Sequence, residues 1–251
     1  MNKIKSTLTA LALCAGFAFT ASGQIITFTT TGLSSGSNNP SSINPDFTAA
    51  NLTTGSLTKG SGLTTGSGGG NLFYGSTWGA GSVPGTLQDS IDNDRFFTFS
   101  ITPTAGYLVS LSSLDYRIYR TQAGANNWVW QFSIDSGAYT TIGSPLQSLA
   151  TSTTTAAQPQ INLSLITELQ DVSETINFRL IAWSTDLTSA GGGSPTGGGN
   201  LGFGSSGTNN ANSDAIVFGG TVSAVPEPST YAAIVGLLAL GLVLVRRRMR
   251  S

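Results

Sequence analysis

Apolar and polar side chains alternate with a period of two at several places along the chain. Phe97, Phe99 and Ile101 interleave with Thr98, Ser100 and Thr102. Trp128, Trp130, Phe132 and Ile134 interleave with Val129, Gln131, Ser133 and Asp135. Ile176, Phe178, Leu180 and Ala182 do the same with Asn177, Arg179, Ile181 and Trp183, and Ile216 and Phe218 repeat the pattern near the end. This alternation predicts half-buried β-strands. Between Tyr107 and Tyr119 the phase slips: Tyr107, Val109 and Leu111 share one face, then Leu114, Tyr116 and Ile118 take it over. One extra residue near Ser112-Ser113, a β-bulge or tight bend, accounts for the slip. The helical prediction in the body is limited to a turn or two over residues 163–169.

Glycine, serine, threonine and asparagine fill the gaps between these segments, as short strands joined by turns require. The fold class predicted is all-β, a jelly-roll-like β-sandwich, flanked by a signal peptide and a C-terminal hydrophobic sorting helix. The strand opening at Gln24 and the strand near residues 215–222 bracket the body and are expected side by side. Residues 60–70 and 190–199 read as long glycine-rich surface loops.

Both ends of the chain break this pattern. Lys3 and Lys5 precede an apolar stretch at residues 8–19, followed by Ala21-Ser22-Gly23. That is the layout of a secretory signal peptide, too short for a comfortable membrane span, with cleavage expected after Gly23 by signal peptidase. Cys14, the single cysteine, follows Leu13 rather than the small residue of a lipoprotein signal, and it leaves with this segment. The mature chain then has no thiol for a disulfide, a metal or nucleophilic catalysis.

At the other end, Pro226, Glu227 and Pro228 precede an apolar run at residues 231–245. Arg246, Arg247, Arg248 and Arg250 close the chain. The prolines resist helix and sheet and leave the backbone extended. As a helix, the 15-residue apolar run is about 22 Å long, against a hydrocarbon core of roughly 30 Å. Snorkelling arginines and local bilayer thinning can close that gap, and clustered positive charge favours the cytoplasmic side. The reading is a short transmembrane helix with everything before Pro226 outside.

Pro226-Glu227-Pro228, the short apolar run and the arginine cluster together resemble the PEP-CTERM sorting signal of exported bacterial proteins. The resemblance covers about the last tenth of the chain. It implies recognition by exosortase, a membrane protease-transpeptidase, which would cut the tail and leave another surface attachment in its place. It also implies a Gram-negative-type envelope and a link to exopolysaccharide or biofilm. The chain divides accordingly into a signal peptide (1–23), a β-sandwich body (24–224) and a sorting signal (225–251).

The body carries five basic against 11 acidic side chains, a net charge of −6 that the whole-chain value of −1 conceals. Nucleic acid, which needs clustered Lys and Arg, is not an expected partner. Histidine is absent from the chain, which removes Ser-His-Asp triads, His-ligated metal and imidazole acid–base chemistry. A carboxylate pair could hydrolyse a glycosidic bond, but Glu168 and Glu174 sit in a polar stretch that reads as a solvated face. Asp89, Asp92 and Asp94, with Asn93 between them, could offer oxygens to calcium, although the spacing is not that of an EF-hand loop; a polar turn is the simpler reading.

Tyr74 and Trp78, in a glycine-rich segment, and Trp183, on the opposite face of its strand from Phe178, are candidates for stacking on sugar rings, with core packing as the competing reading. Trp128 and Trp130 share a face with Phe132 and read as core. The function these features suggest is an exported cell-surface or matrix protein, non-catalytic, structural or adhesive in an exopolysaccharide layer. A carbohydrate-binding module is the first alternative and a polysaccharide-degrading enzyme the second.

Overall fold

A computed structural model describes residues 23–66, 69–78, 85–147, 154–184, 199–204, 214–225 and 228–249. The described body begins with β1 (Gly23–Thr29), β2 (Ser42–Ile43), β3 (Phe47–Thr48), β4 (Leu52–Thr54), β5 (Leu57–Lys59) and β6 (Leu72–Gly75). A short helix α1 (Leu87–Asp92) leads into β7 (Phe96–Pro103), β8 (Tyr107–Arg120), β9 (Asn127–Ile134) and β10 (Thr140–Gln147). Then come β11 (Thr154–Ala157), β12 (Ile161–Asn162), β13 (Ile176–Trp183), β14 (Leu201–Gly204) and β15 (Asp214–Ala224), and last the tail helix α2 (Pro228–Met249).

The strands form two antiparallel sheets. The first runs β3-β1-β15-β8-β14-β6, with β11 and β12 also paired to the long β8. The second runs β10-β9-β13-β7-β5-β2, with β4 also paired to β7. The alternation predicted for β7, β9 and β13 places Phe97, Phe99, Trp130, Phe132, Phe178 and Leu180 inside. They meet the first sheet ring against ring. Phe28 on β1 and Phe218 on β15 both pack edge-on to Phe99, at 5.2 and 5.5 Å between centroids, and Tyr116 packs edge-on to Trp130 at 5.6 Å. Such edge-to-face pairs satisfy the ring quadrupoles and add about 0.5–1.5 kcal/mol each to the burial of the rings.

The phase slip in β8 is a bulge. β15 sets Gly219 opposite Ser113 and Gly220 opposite Leu111, so Ser112 is the extra residue on β8. It lets Val109 and Leu111 below the bulge, and Leu114, Tyr116 and Ile118 above it, all point into one core. The partner strand carries a glycine there: a Cβ on Gly219 would lie 2.5 Å from the Ser113 hydroxyl, a side-chain end that can turn aside.

Two expectations are corrected. Residues 60–70 are not wholly a surface loop: Leu63 is buried in the core, and Thr64 bridges to Ser76. Residues 163–169 form only a 3-10 turn at Thr167–Leu169, while the α-helix of the body lies at α1. The hydroxyl of Thr86 accepts from the Asp89 N–H, and the Asp89 carboxylate accepts from the Thr86 N–H, a capping box that starts this helix. The other predicted loop, 190–199, lies outside the described residues except for Gly199.

The sandwich has two unlike ends. At one, here the near end, β1 starts and β15 finishes, Gly23 opposite Gly220, so the two ends of the body are neighbours as expected. At the other, the far end, β8 turns into β9 and β13 finishes. The stretches 79–84, 148–153, 185–198 and 205–213 all leave and re-enter the described structure in this far half.

Candidate functional site

The features with a function in view are the tail and the strand leading into it. β15 is a central strand. Residues 216–220 lie between β1 and β8, while Thr221–Ala224 pair with β8 alone. The Val225 N–H donates to the Gly106 carbonyl at 2.8 Å, which fixes the alternation: 221, 223 and 225 point their backbone groups toward β8. Those of Val222 and Ala224 point the other way. On the β8 side, the Val109 N–H is engaged by the Val172 carbonyl instead, in agreement with this alternation. Sheet structure therefore persists to within two residues of the sorting motif.

Pro226, Glu227 and Arg250 lie outside the described residues. Pro228 opens α2, which has 22 residues and a length of about 33 Å. Leu237, Leu238, Leu240, Leu242 and Leu244 are all more than half exposed, so this stretch is apolar on every side and uncovered by the body. Arg246, Arg247 and Arg248 occupy the last turn, where cations complement the helix dipole. Among the described residues, no helix is long and apolar enough to cross a membrane.

The aromatic candidates for sugar stacking are placed inside. Tyr74 and Trp78 have no exposed surface. The Tyr74 hydroxyl lies 3.2 Å from the Gly36 carbonyl and 3.1 Å from that of Gly66, and the Trp78 indole donates to the Gly75 carbonyl at 2.7 Å. Trp78 packs on Phe97 at 5.4 Å. Trp183 does face away from Phe178, yet it is buried too, at the end of β13 against which α1 packs through a 2.7 Å bond from the Ser90 hydroxyl to the Ala182 carbonyl. No ring face of the three is open to a sugar, so the stacking expectation is corrected to packing.

The three aspartates are engaged separately. Asp89 caps α1, and the Thr86 N–H and hydroxyl hold its carboxyl below the usual carboxylate range. Asp92 accepts from the Gln88 amide at 2.7 Å, and Asp94 accepts from the Ser61 hydroxyl at 2.8 Å. Among the described residues, no three acidic, histidine or cysteine side chains gather as metal ligands would.

Two arrangements escaped the sequence reading. The outer face of the second sheet carries a polar row in register across six strands: Ser42, Thr58, Thr98, Arg179, Gln131 and Thr141. Within it, the Arg179 guanidinium donates to Gln131 Oε1 at 2.9 and 2.7 Å and stacks 3.7 Å from the Tyr139 ring centroid. The second arrangement is a set of buried cations. Arg120 donates to the carbonyls of Gln122, Gly124 and Ala125 and so holds the β8–β9 turn. Lys59 donates to Asn39 Oδ1 at 2.8 Å beneath the Phe73 and Tyr74 rings, and burial lowers its pKa to about 8. Parity with Leu57 was the available signal for Lys59: both point inward from one short strand.

The body is all-β, two packed antiparallel sheets, and it ends in an apolar helix with a basic last turn, the class of a folded domain followed by a short hydrophobic C-terminal segment. Residues 224–250 match the family model of the PEP-CTERM protein-sorting motif. The chain is thus an exported protein whose tail is targeted to exosortase, a membrane enzyme. No curated protein matches the chain.

Proposed function

We propose that this is a cell-surface or extracellular-matrix protein whose body, residues 24–224, has a non-catalytic structural or adhesive role in an exopolysaccharide layer. The observation that carries the reading is the placement of both body ends, Gln24 and Ala224, at the near end of one sheet. A precursor held at the membrane by a signal peptide and a sorting tail needs its two exits on the same side of the folded body. The far end then faces outward. On this reading α2 enters the bilayer until exosortase cuts the tail, with the arginines on the inner side. The charge-poor, hydroxyl-rich surface suits a hydrated polysaccharide matrix.

Mass spectrometry of protein extracted from the cell surface, read at both termini, tests this. The expected species begins near Gln24 and lacks residues 246–251. Recovery of the intact Arg250-Ser251 end on extracellular protein would overturn it.

A carbohydrate-binding role is the second reading, favoured by the outer polar row. Tyr139 is 36% exposed over Arg179, and amide and hydroxyl groups flank them. An aromatic face beside hydrogen-bonding groups is what sugar recognition uses.

A further inference from the structure

The end of β15 is half a strand pair. Beyond Gly220 it has β8 on one side; on the other, β1 begins at Gly23, and with signal-peptide cleavage expected after Gly23 the mature chain has nothing to continue it. Val222 and Ala224 aim their N–H and C=O groups toward that open side, and among the described residues no backbone group pairs with them there. Beside them lies a shallow cleft of about 420 Å³, lined by Gly23, Ala49, Ala50, Gly220 and Val222 among others. Gly23, Ala49, Ala50 and Gly220 leave part of its wall low enough for an extended backbone to approach, while Gln24, Ile25 and Asn51 bound the rest. The Ala224 edge is two residues from Pro226.

We propose that the free edge at Val222 and Ala224 is a docking strand for the sorting enzyme, which adds an extended segment of its own beside β15 before it cuts the tail. The inference rests on the reading of the tail as an exosortase substrate. Enzymes that act on peptide segments commonly hold them by strand addition, in which backbone hydrogen bonds give affinity whatever the side chains. Here the folded body presents half of such a ladder in advance, two residues before Pro226 in the chain. Docking at this edge requires no unpairing from β8, and it fixes where the motif sits relative to the enzyme. The partner is argued from position: the edge exists only over the last residues before the motif, at the end of the sheet from which the tail emerges.

The test is processing of the full chain in cells carrying the sorting enzyme, followed as the rate at which the tail mass is lost. Val222→Pro and Ala224→Pro each delete an N–H aimed at the open side and leave the bonds to β8 in place, and proline is tolerated at strand edges. Each should slow tail removal by about tenfold, the loss of one well-made hydrogen bond at an interface. The thermal unfolding of the body should stay at the wild-type temperature. Val222→Ala and Ala224→Ser keep the N–H and should be processed normally. Proline variants processed within about twofold of wild type overturn the proposal while leaving the sorting reading intact. Proline variants that instead convert a dimer to a monomer with unchanged processing assign the edge to a second copy and overturn it as well. A wild-type chain that the enzyme does not cut at all removes the sorting reading, and the docking edge falls with it.

Discussion

The near and far ends of the sandwich are built from the same strands and are closed by different means. The near end uses short connections: β7 passes to β8 through a turn in which the Tyr107 N–H donates to the Thr104 carbonyl at 3.0 Å, with Gly106 at a φ of 84°. It carries the two ends of the body and little polar matter inside. At the far end Lys59, Arg95, Arg120, Asn126, Asn127, Asn200 and Ser184 are all buried. Arg95 Nε and Nη1 and Ser184 Oγ have no hydrogen-bond partner there among the described residues. A buried polar group is costly unless it is bonded. The far end therefore holds its turns with interior polar groups, whereas the near end is closed by backbone pairing and by exposed or half-buried polar side chains such as Ser110 with Asp171 and Gln170 on the Leu111 carbonyl. The comparison sets a fixed near end, which carries both exits of the body, against a more elaborate, energetically less settled far end.

Glycine substitutions break this comparison with the largest effect. A Cβ on Gly202, in the far half, would lie 2.1 Å from the Phe73 carbonyl and 2.4 Å from Tyr74 Cα, both backbone atoms of the adjacent β6. Neither can move without parting β14 from β6, so Gly202→Ala should cost about 3 kcal/mol, the upper range for overpacking. Gly219→Ala, at the bulge, meets the ends of two serine side chains, Ser113 Oγ at 2.5 Å and Ser112 Oγ at 3.0 Å. Those hydroxyls can rotate, and alanine also reduces the entropy of the unfolded chain, so the net change should stay within about 1 kcal/mol. Thermal or denaturant unfolding of the two variants gives the ranking. A costlier Gly219→Ala would place the rigid pairing at the bulge and reverse the comparison.

A pH titration sharpens it next. Lys59 is the one lysine of the body, and burial brings its pKa to about 8, below the ordinary value near 10.4. Between these values the unfolded chain binds the proton and the folded one releases it. Stability therefore rises as pH rises from about 8 to about 10, by at most ~1.4 kcal/mol per unit. Below pH 8 both states carry the charge and the burial penalty is present in full. Above pH 10 the gain fades, and Tyr116, pushed up to about 12 by burial, works in the opposite direction as unfolded tyrosine ionises. Denaturant midpoints measured from pH 7 to 10 should climb for the wild type and stay flat for Lys59→Met. A wild-type curve as flat as the variant's would remove Lys59 as the source.

How much of this could be read from the chain follows from which signals are local. The strands β7, β9 and β13 are legible because each has one face in the core and one outward, which writes a period of two into the sequence. The bulge is legible as a phase slip in β8, and the tail as a sharp change of composition. Tyr74 and Trp78 mislead because β6 is four residues long and buried throughout, so it shows no alternation, and its glycine neighbours resemble a loop. The outer row from Ser42 to Thr141 is set by register among six strands, which no single segment encodes. Lys59 and Arg120 are inward by parity, but a cation in an inward position looks like an error of phase until its acceptors are known.

Helix α1 was missed because six residues are too few for a helical period, although Thr86 and Asp89 carry a start signal at the right spacing. That signal supplies the smallest effect at the far end. Thr86→Ala removes the hydroxyl that accepts from the Asp89 N–H and also releases the Asp89 carboxylate from its second donor. Loss of such a cap costs about 1 kcal/mol. The helix packs on the end of β13, with Ser90 bonded to the Ala182 carbonyl, so fraying should be felt as faster amide exchange at the end of β13. Hydrogen exchange compared between Thr86→Ala and wild type should show the change at residues 181–184 and none at residues 107–111 of the near end. Equal acceleration at both would mean that the two ends open together, as one cooperative unit, and the distinction between them would be one of composition only.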